Sequence, residues 1–260
     1  MFRHPSGERP GSPCWVELAT PDVPAACAFY GALFGWEFHV ERDLVALDGP
    51  YTVATREGAA VAGLYQTAEG QPTGWSLHLA VSDLAATTRT VEHLGGTVRS
   101  GPRDTLGRTT VAHAVDPCGA PFGFRRTAPV RVFGTSGPGM FHHACLSTHD
   151  GTVADEFYRT LFGYTCEQLR DDGIDHAAWR LGDERVLSRL VLGDEHVAAT
   201  SPARWEIHFR ADPLVDIDVL VAQVPGRGGR VLAAFDDTAL LADPSWCLFR
   251  VDRHAAPCDV

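Results

Sequence analysis

Lysine is absent from this chain: all 22 basic residues are arginine. Without a primary side-chain amine there is no Schiff-base lysine and no anchor for pyridoxal phosphate. The phosphate-binding P-loop, whose pattern requires a lysine, is excluded as well. Positive charge is scarce overall, with 33 acidic residues and a formal net charge of −11. This argues against nucleic acid as a partner and suits a neutral or cationic small ligand. No apolar run approaches the ~20 residues of a membrane span. The opening MFRHPSGERPGSP lacks the apolar core of a signal peptide, so a cytoplasmic protein without a membrane partner is expected. Seven cysteines, Cys14, Cys27, Cys118, Cys145, Cys166, Cys247 and Cys258, make an odd count with no C-x-x-C pair. Neither a disulfide framework nor a zinc ribbon is indicated, and reduced thiols are expected.

What is present is a repeat. Residues 29–36 read FYGALFGW and residues 157–164 read FYRTLFGY, displaced by 128 positions. At the same displacement PCWVELATPD (13–22) meets HHACLSTHD (142–150), without a gap through the aromatic phrase. Further on, WSLHLAVSDL (75–84) resembles WEIHFRADPL (205–214), and each leads to a Gly-Gly pair, at 95–96 and 228–229. Self-similarity on this scale marks a duplicated folding unit. The length, with 45% hydrophobic and 21% charged residues, fits one large globular domain or two ordinary ones.

Each half divides again. An alternating strand, an Asp or Pro start signal, a helical stretch and three short strands recur at 14–66, 75–126, 142–192 and 204–252. The helices are read from Pro21-Asp22 and Asp83 as starts, from the spacing of Val23, Cys27, Tyr30, Leu33 and Phe34, and from Gly35 and Gly95 as terminators. Phe29, Tyr30 and Phe34 are therefore core and capping residues. The stretch APVRVFGTSGPG (128–139) reads as a linker between a first domain (1–127) and a second (140–260). The first dozen residues and the last few are expected to be loose.

Alternation along each first strand sorts its side chains. Val16 and Leu18, Leu77 and Leu79, and Ile207 and Phe209 fall beneath helices. Trp15 and Glu17, Ser76 and His78, His143 and Cys145, and Glu206 and His208 share the opposite face. Bulky and ionisable residues gathered there point to a concave cup with a few convergent polar groups, the alternative being an ordinary solvated sheet face. Trp75 and Trp205 fall on the core parity, whereas Trp15 points into the first cup.

With these residues in place the chain resembles the vicinal oxygen chelate superfamily, which includes glyoxalase I, extradiol dioxygenases and bleomycin-resistance proteins. The resemblance rests on WVELATPD with FYGALFGW, HHACLSTHD with FYRTLFGY, the two Gly-Gly turns and DPCGAPFGF (116–124), and it covers about 14–252. It implies an α+β fold of four βαβββ modules paired into two cup-shaped half-barrels, modules one and two in one cup, three and four in the other. Members with chemistry hold a divalent metal on each module's first strand, seven residues before the helix-starting Asp, and on its last strand. In the first half those positions fall on Trp15, Gly63, Ser76 and Gly123, none of them a ligand. In the second half they fall on His143 and Glu206, with Arg189 and Arg250 on the last strands. His208 would complete a facial triad with His143 and Glu206 for Fe, Zn, Mn or Ni, although a neighbouring guanidinium opposes a dication.

Three functions stay open. The first is a cofactor-free enzyme in which Glu17 and His78 move protons on a carbonyl-bearing metabolite, by isomerisation, cyclisation or elimination. Trp15, Ser76, Cys145, His176 and Arg250 would contact the substrate, Trp15 by stacking on a planar or cationic ligand. The second is a non-catalytic protein that sequesters a drug or metabolite. The third is a metal-dependent lyase or dioxygenase using His143, Glu206 and His208. All three take a small-molecule partner, and the chain is compatible with a monomer or a homodimer.

Overall fold

The computed structural model describes residues 9–46, 49–105, 109–127, 133–169, 173–193 and 202–253. All four modules form in the expected order. The first is β1 (Pro13–Thr20), α1 (Val23–Phe34), β2 (Glu37–Ala46), β3 (Gly49–Arg56) and β4 (Ala59–Gln66). The second is β5 (Gly74–Ala80), α2 (Leu84–His93), β6 (Thr97–Thr105), β7 (Thr109–Val115) and β8 (Pro121–Thr127). The third is β9 (Phe141–Thr148), α3 (Gly151–Phe162), β10 (Thr165–Gln168), β11 (His176–Leu181) and β12 (Glu184–Val191). The fourth is β13 (Arg204–Arg210), α4 (Ile217–Gln223), β14 (Arg230–Ala234), β15 (Thr238–Ala242) and β16 (Leu248–Asp252).

The first two helices start at the expected Asp22 and Asp83. Asp22, Asp83, Asp150 and Asp216 are N-caps, each accepting a backbone N–H two or three residues ahead. Gly35 and Gly163 close α1 and α3 in the left-handed conformation, which glycine adopts without steric cost.

The strands form two eight-stranded sheets of identical order, β2-β3-β4-β1-β5-β8-β7-β6 and β10-β11-β12-β9-β13-β16-β15-β14. This is the α+β architecture of paired βαβββ modules curled into half-barrel cups. In each module the last strand runs parallel to the first. That register sets Glu17 opposite Gly63, His78 opposite Gly123, Cys145 opposite Ser188 and His208 opposite Arg250.

By contacts the chain divides into two compact units, one of residues 1–14, 77–130 and 144–206, the other of residues 15–76, 131–143 and 207–260. In the latter, α1 lays Phe29 against Phe249 (ring centroids 6.0 Å apart) and Phe34 against Phe209 (5.4 Å). The Tyr30 hydroxyl donates to Asp243 over 3.2 Å and accepts from the Trp75 indole over 3.0 Å. In the former, Phe157 on α3 meets Phe122 edge-on at 6.0 Å, and the Tyr158 hydroxyl donates to Asp116 over 3.1 Å. The twin phrases are therefore architecture: each anchors a helix through phenylalanine ring contacts and one phenolic hydrogen bond. Trp75 and Trp205 lie in these cores, as their parity requires.

Two expectations change. Residues 9–12 are fastened rather than loose: the Gly11 N–H donates to Ala80 over 2.8 Å, Arg9 donates to the Leu181 carbonyl over 2.9 Å, and Ser12 is buried. The stretch read as a linker is also partly held. Phe133 bridges Ala60, the Gly134 N–H donates to the Ala60 carbonyl over 2.8 Å, and the Trp36 indole donates to the Gly139 carbonyl over 2.8 Å. The six described cysteines are free thiols, and Cys258 lies outside the described residues. Burial pushes Cys14 and Cys247 up to about 12, so neither supplies a thiolate near neutrality. No helix among the described residues is long and apolar enough to cross a membrane.

Candidate active site

The polar face of the first sheet begins at Glu17, in the middle of β1. Its carboxylate is buried, an arrangement that is costly unless a donor compensates. The donor is the Tyr51 hydroxyl, 2.9 Å from Oε2 of Glu17. The indole Nε1 of Trp15 in turn donates to the Tyr51 oxygen over 2.8 Å. Trp15, Tyr51, Val53 and Ala60 form one buried cluster, with Tyr65 and Phe133 packed against it. The Phe133 ring lies 5.7 Å from Trp15. Tyr65 is held well above the usual phenol range, by burial and then by the negative charge of Glu17. It therefore stays neutral and does not act as a competing base.

Tyr51 reaches Glu17 from two strands away because residue 63 is glycine. A Cβ on Gly63 would stand 1.8 Å from the Tyr51 hydroxyl and 2.9 Å from Nε1 of Trp15. Gly123 plays the same part for His78: a Cβ there would stand 2.4 Å from its Nδ1. The two positions that would carry last-strand metal ligands in the first half are thus glycines overlain by neighbouring side chains.

His78 is fully buried in mid β5, and its ring meets that of His113 on β7 edge-on at 5.2 Å. Nδ1 of His113 lies 3.0 Å from the Ser100 hydroxyl on β6. His113 and Tyr51 escaped the sequence reading because they lie on the second or third strand of a meander, where no spacing rule marks them.

The second sheet places its candidates differently. The His143 and His208 rings lie 5.4 Å apart. Nδ1 of His208 is 2.7 Å from Oδ2 of Asp252, whose other oxygen accepts from Thr238 over 2.7 Å. The pairing with His208 draws the Asp252 carboxyl below its ordinary value despite burial. Glu206 accepts from Ser147 and from Arg204, each over 2.8 Å.

Arg189 requires a correction. Register places Ser188, not Arg189, beside Cys145, so Arg189 faces the other way. It clamps Asp155 on α3 (2.8 Å) and Asp175 (2.6 Å). Arg250 is the register partner of His208 and half-buried. Cys145 and His176 are buried, and Ser76 is half-buried one strand position from Leu77.

The family described as "Glyoxalase-like domain" matches residues 15–124. Across most of its length the chain is 31% identical to "Anthracycline biosynthesis protein DauV" of Streptomyces sp. (strain C5), covering 85% of this chain and 84% of that one. The chain belongs to the glyoxalase-like family of the vicinal oxygen chelate superfamily. Within it, "Putative glyoxylase CFP32" of Mycobacterium bovis (strain ATCC BAA-935 / AF2122/97) is 29% identical, over 95% of this chain and 96% of that one. The fold is also that of the Mn(II)-bound glyoxalase from Novosphingobium aromaticivorans, with a TM-score of 0.63 at 17% identity, covering 94% of this chain and 82% of that one. The glyoxalase-like family thus accounts for the duplicated modules.

Proposed function

We propose that this glyoxalase-like protein is an enzyme of secondary metabolism that moves protons on a planar, carbonyl-bearing polycyclic aromatic compound, with Glu17 as base and His78 as its partner. The observation that carries the reading is the buried Glu17 carboxylate, held by Tyr51 among Trp15, Tyr65 and Phe133. A carboxylate kept from bulk water beside aromatic faces suits abstraction of a proton next to a ring carbonyl. His78, on the neighbouring strand of the same sheet, donates its N–H to the carbonyl oxygen as negative charge gathers there. Return of the proton at a different carbon completes an isomerisation; attack of the enolate carbon on a second carbonyl of the same molecule, whose oxygen then takes the proton, completes a cyclisation, and neither changes the oxidation state. The relative named for anthracycline biosynthesis supports a polycyclic aromatic ketone as substrate class.

The test is incubation with polycyclic aromatic ketones in deuterium oxide, following label at the carbon next to the carbonyl by mass spectrometry. Incorporation by the native protein should fall at least ~100-fold in Glu17→Gln and His78→Ala. Equal incorporation by both variants and the native protein would end the reading.

A further inference from the structure

We propose that Tyr51 is the positioning residue of the Glu17 centre: its hydroxyl, anchored by the Trp15 indole, holds the carboxylate in one orientation. The inference rests on the assignment of Glu17 as the base.

A phenol has one proton to give. The Trp15 Nε1–H is a donor only. Since it points at the Tyr51 oxygen over 2.8 Å, that oxygen is the acceptor in this contact, and the phenolic proton is directed to Glu17 over 2.9 Å. The chain Trp15 to Tyr51 to Glu17 therefore has one polarity, and it ends on the oxygen that bears charge. Hydrogen bonds arranged in series strengthen one another, and a donor to an ionised acceptor is stronger than a neutral pair. All three side chains are buried, so water does not replace the contact cheaply.

The arrangement is not a by-product of the fold. In register terms Tyr51 lies opposite Tyr65 and Val53 opposite Gly63, so the Tyr51 ring must lean across β4 above residue 63 to reach β1. Only glycine leaves that path open, a Cβ standing 1.8 Å from the hydroxyl. The second sheet has the same strand order but none of these residues. Cys145 lies where Glu17 does, Ser188 where Gly63 does, and His176 where Tyr51 does, by the equivalent pairings of β9, β12 and β11. Duplication supplied the strands; the relay was built in one copy.

The NMR spectrum of the protein labelled with 13C at the glutamate carboxyl carbon, taken at one neutral pH, tests this without any substrate, and the resonance missing in Glu17→Gln identifies Glu17. In Tyr51→Phe the Glu17 carboxyl resonance should be displaced by several line widths, because the phenolic donor is gone, while other glutamates stay put. Should Tyr51→Phe not fold, Trp15→Phe keeps the phenol but strips its donor, and a smaller displacement is expected. A Glu17 resonance unchanged from the native protein, in whichever variant is folded, overturns the proposal. Because the readout is the carboxyl itself, a failure here leaves the role of Glu17 in turnover standing, and loss of that role leaves the spectral result intact.

Discussion

The hydroxyl of Tyr30 donates to the carboxylate of Asp243, 213 residues further along the chain. Tyr158 repeats the bond to Asp116. Both aspartates sit in the turn that leads into a module's last strand. There Asp243 also accepts the backbone N–H of Ser245 and Cys247, and Asp116 that of Cys118 and Ala120. One carboxylate thus fastens a turn with one oxygen and a helix with the other.

Replacing Tyr30 by Phe should therefore destabilise more than its surface change suggests. Asp243 loses a donor, and the Trp75 indole loses its acceptor, in a fully buried place. The expected cost is about 1–3 kcal/mol for each group left unsatisfied. A thermal midpoint within about 1 °C of the native one would show that these bonds contribute nothing.

Burial raises both Asp243 and Asp116 above the ordinary carboxyl value. A group whose folded value is raised contributes stability that is present below its unfolded value and is lost as pH rises through the folded value. Asp243→Asn carries no such titration. Its thermal midpoint relative to the native protein should improve as pH rises from about 4 through the acid range. A constant difference across that range would contradict the assignment.

Glu167 has the opposite sign. Arg185 and Arg180 hold it down at about 2. Its contribution is present above the unfolded value and disappears as pH falls toward 2. Because Glu167 is only half-buried, the effect should also weaken with salt. Comparing melts of Glu167→Gln and native protein at pH 6 and pH 3, with and without 1 M salt, checks both dependences.

Arg189 is the buried counterpart. Its side chain closes two ion pairs at once, to Asp155 and Asp175, and the pairing outweighs burial in raising its proton affinity. Arg189→Met should cost about 3 kcal/mol or more, because two carboxylates are left without their cation. Lysine should restore only part, lacking the forked geometry. Chemical denaturation of the three proteins gives the ranking.

Gly123→Ala should silence the first sheet without unfolding it. The added methyl would fall 2.4 Å from Nδ1 of His78, so the imidazole must move. Deuterium incorporation should drop at least ~10-fold, the overpacking should cost about 1–3 kcal/mol of stability, and the His78 ring signals should shift in the NMR spectrum. Native exchange in this variant would place the chemistry elsewhere.

The sequence by itself determined the four modules, their caps and the face each first-strand residue takes. These follow from local rules: alternation along a strand, an acidic start and a glycine stop are all written within a dozen residues. It also offered Glu17 and His78 as candidates. It misplaced Arg189, since a shift of one residue in strand register exchanges one face of a sheet for the other. Tertiary structure alone decided that Tyr51 leans over Gly63 to Glu17, that His113 meets His78, and that Asp252 takes His208. Those contacts join strands through hydrogen-bond registers and meander lengths, and no periodicity in the chain encodes which residue arrives opposite which.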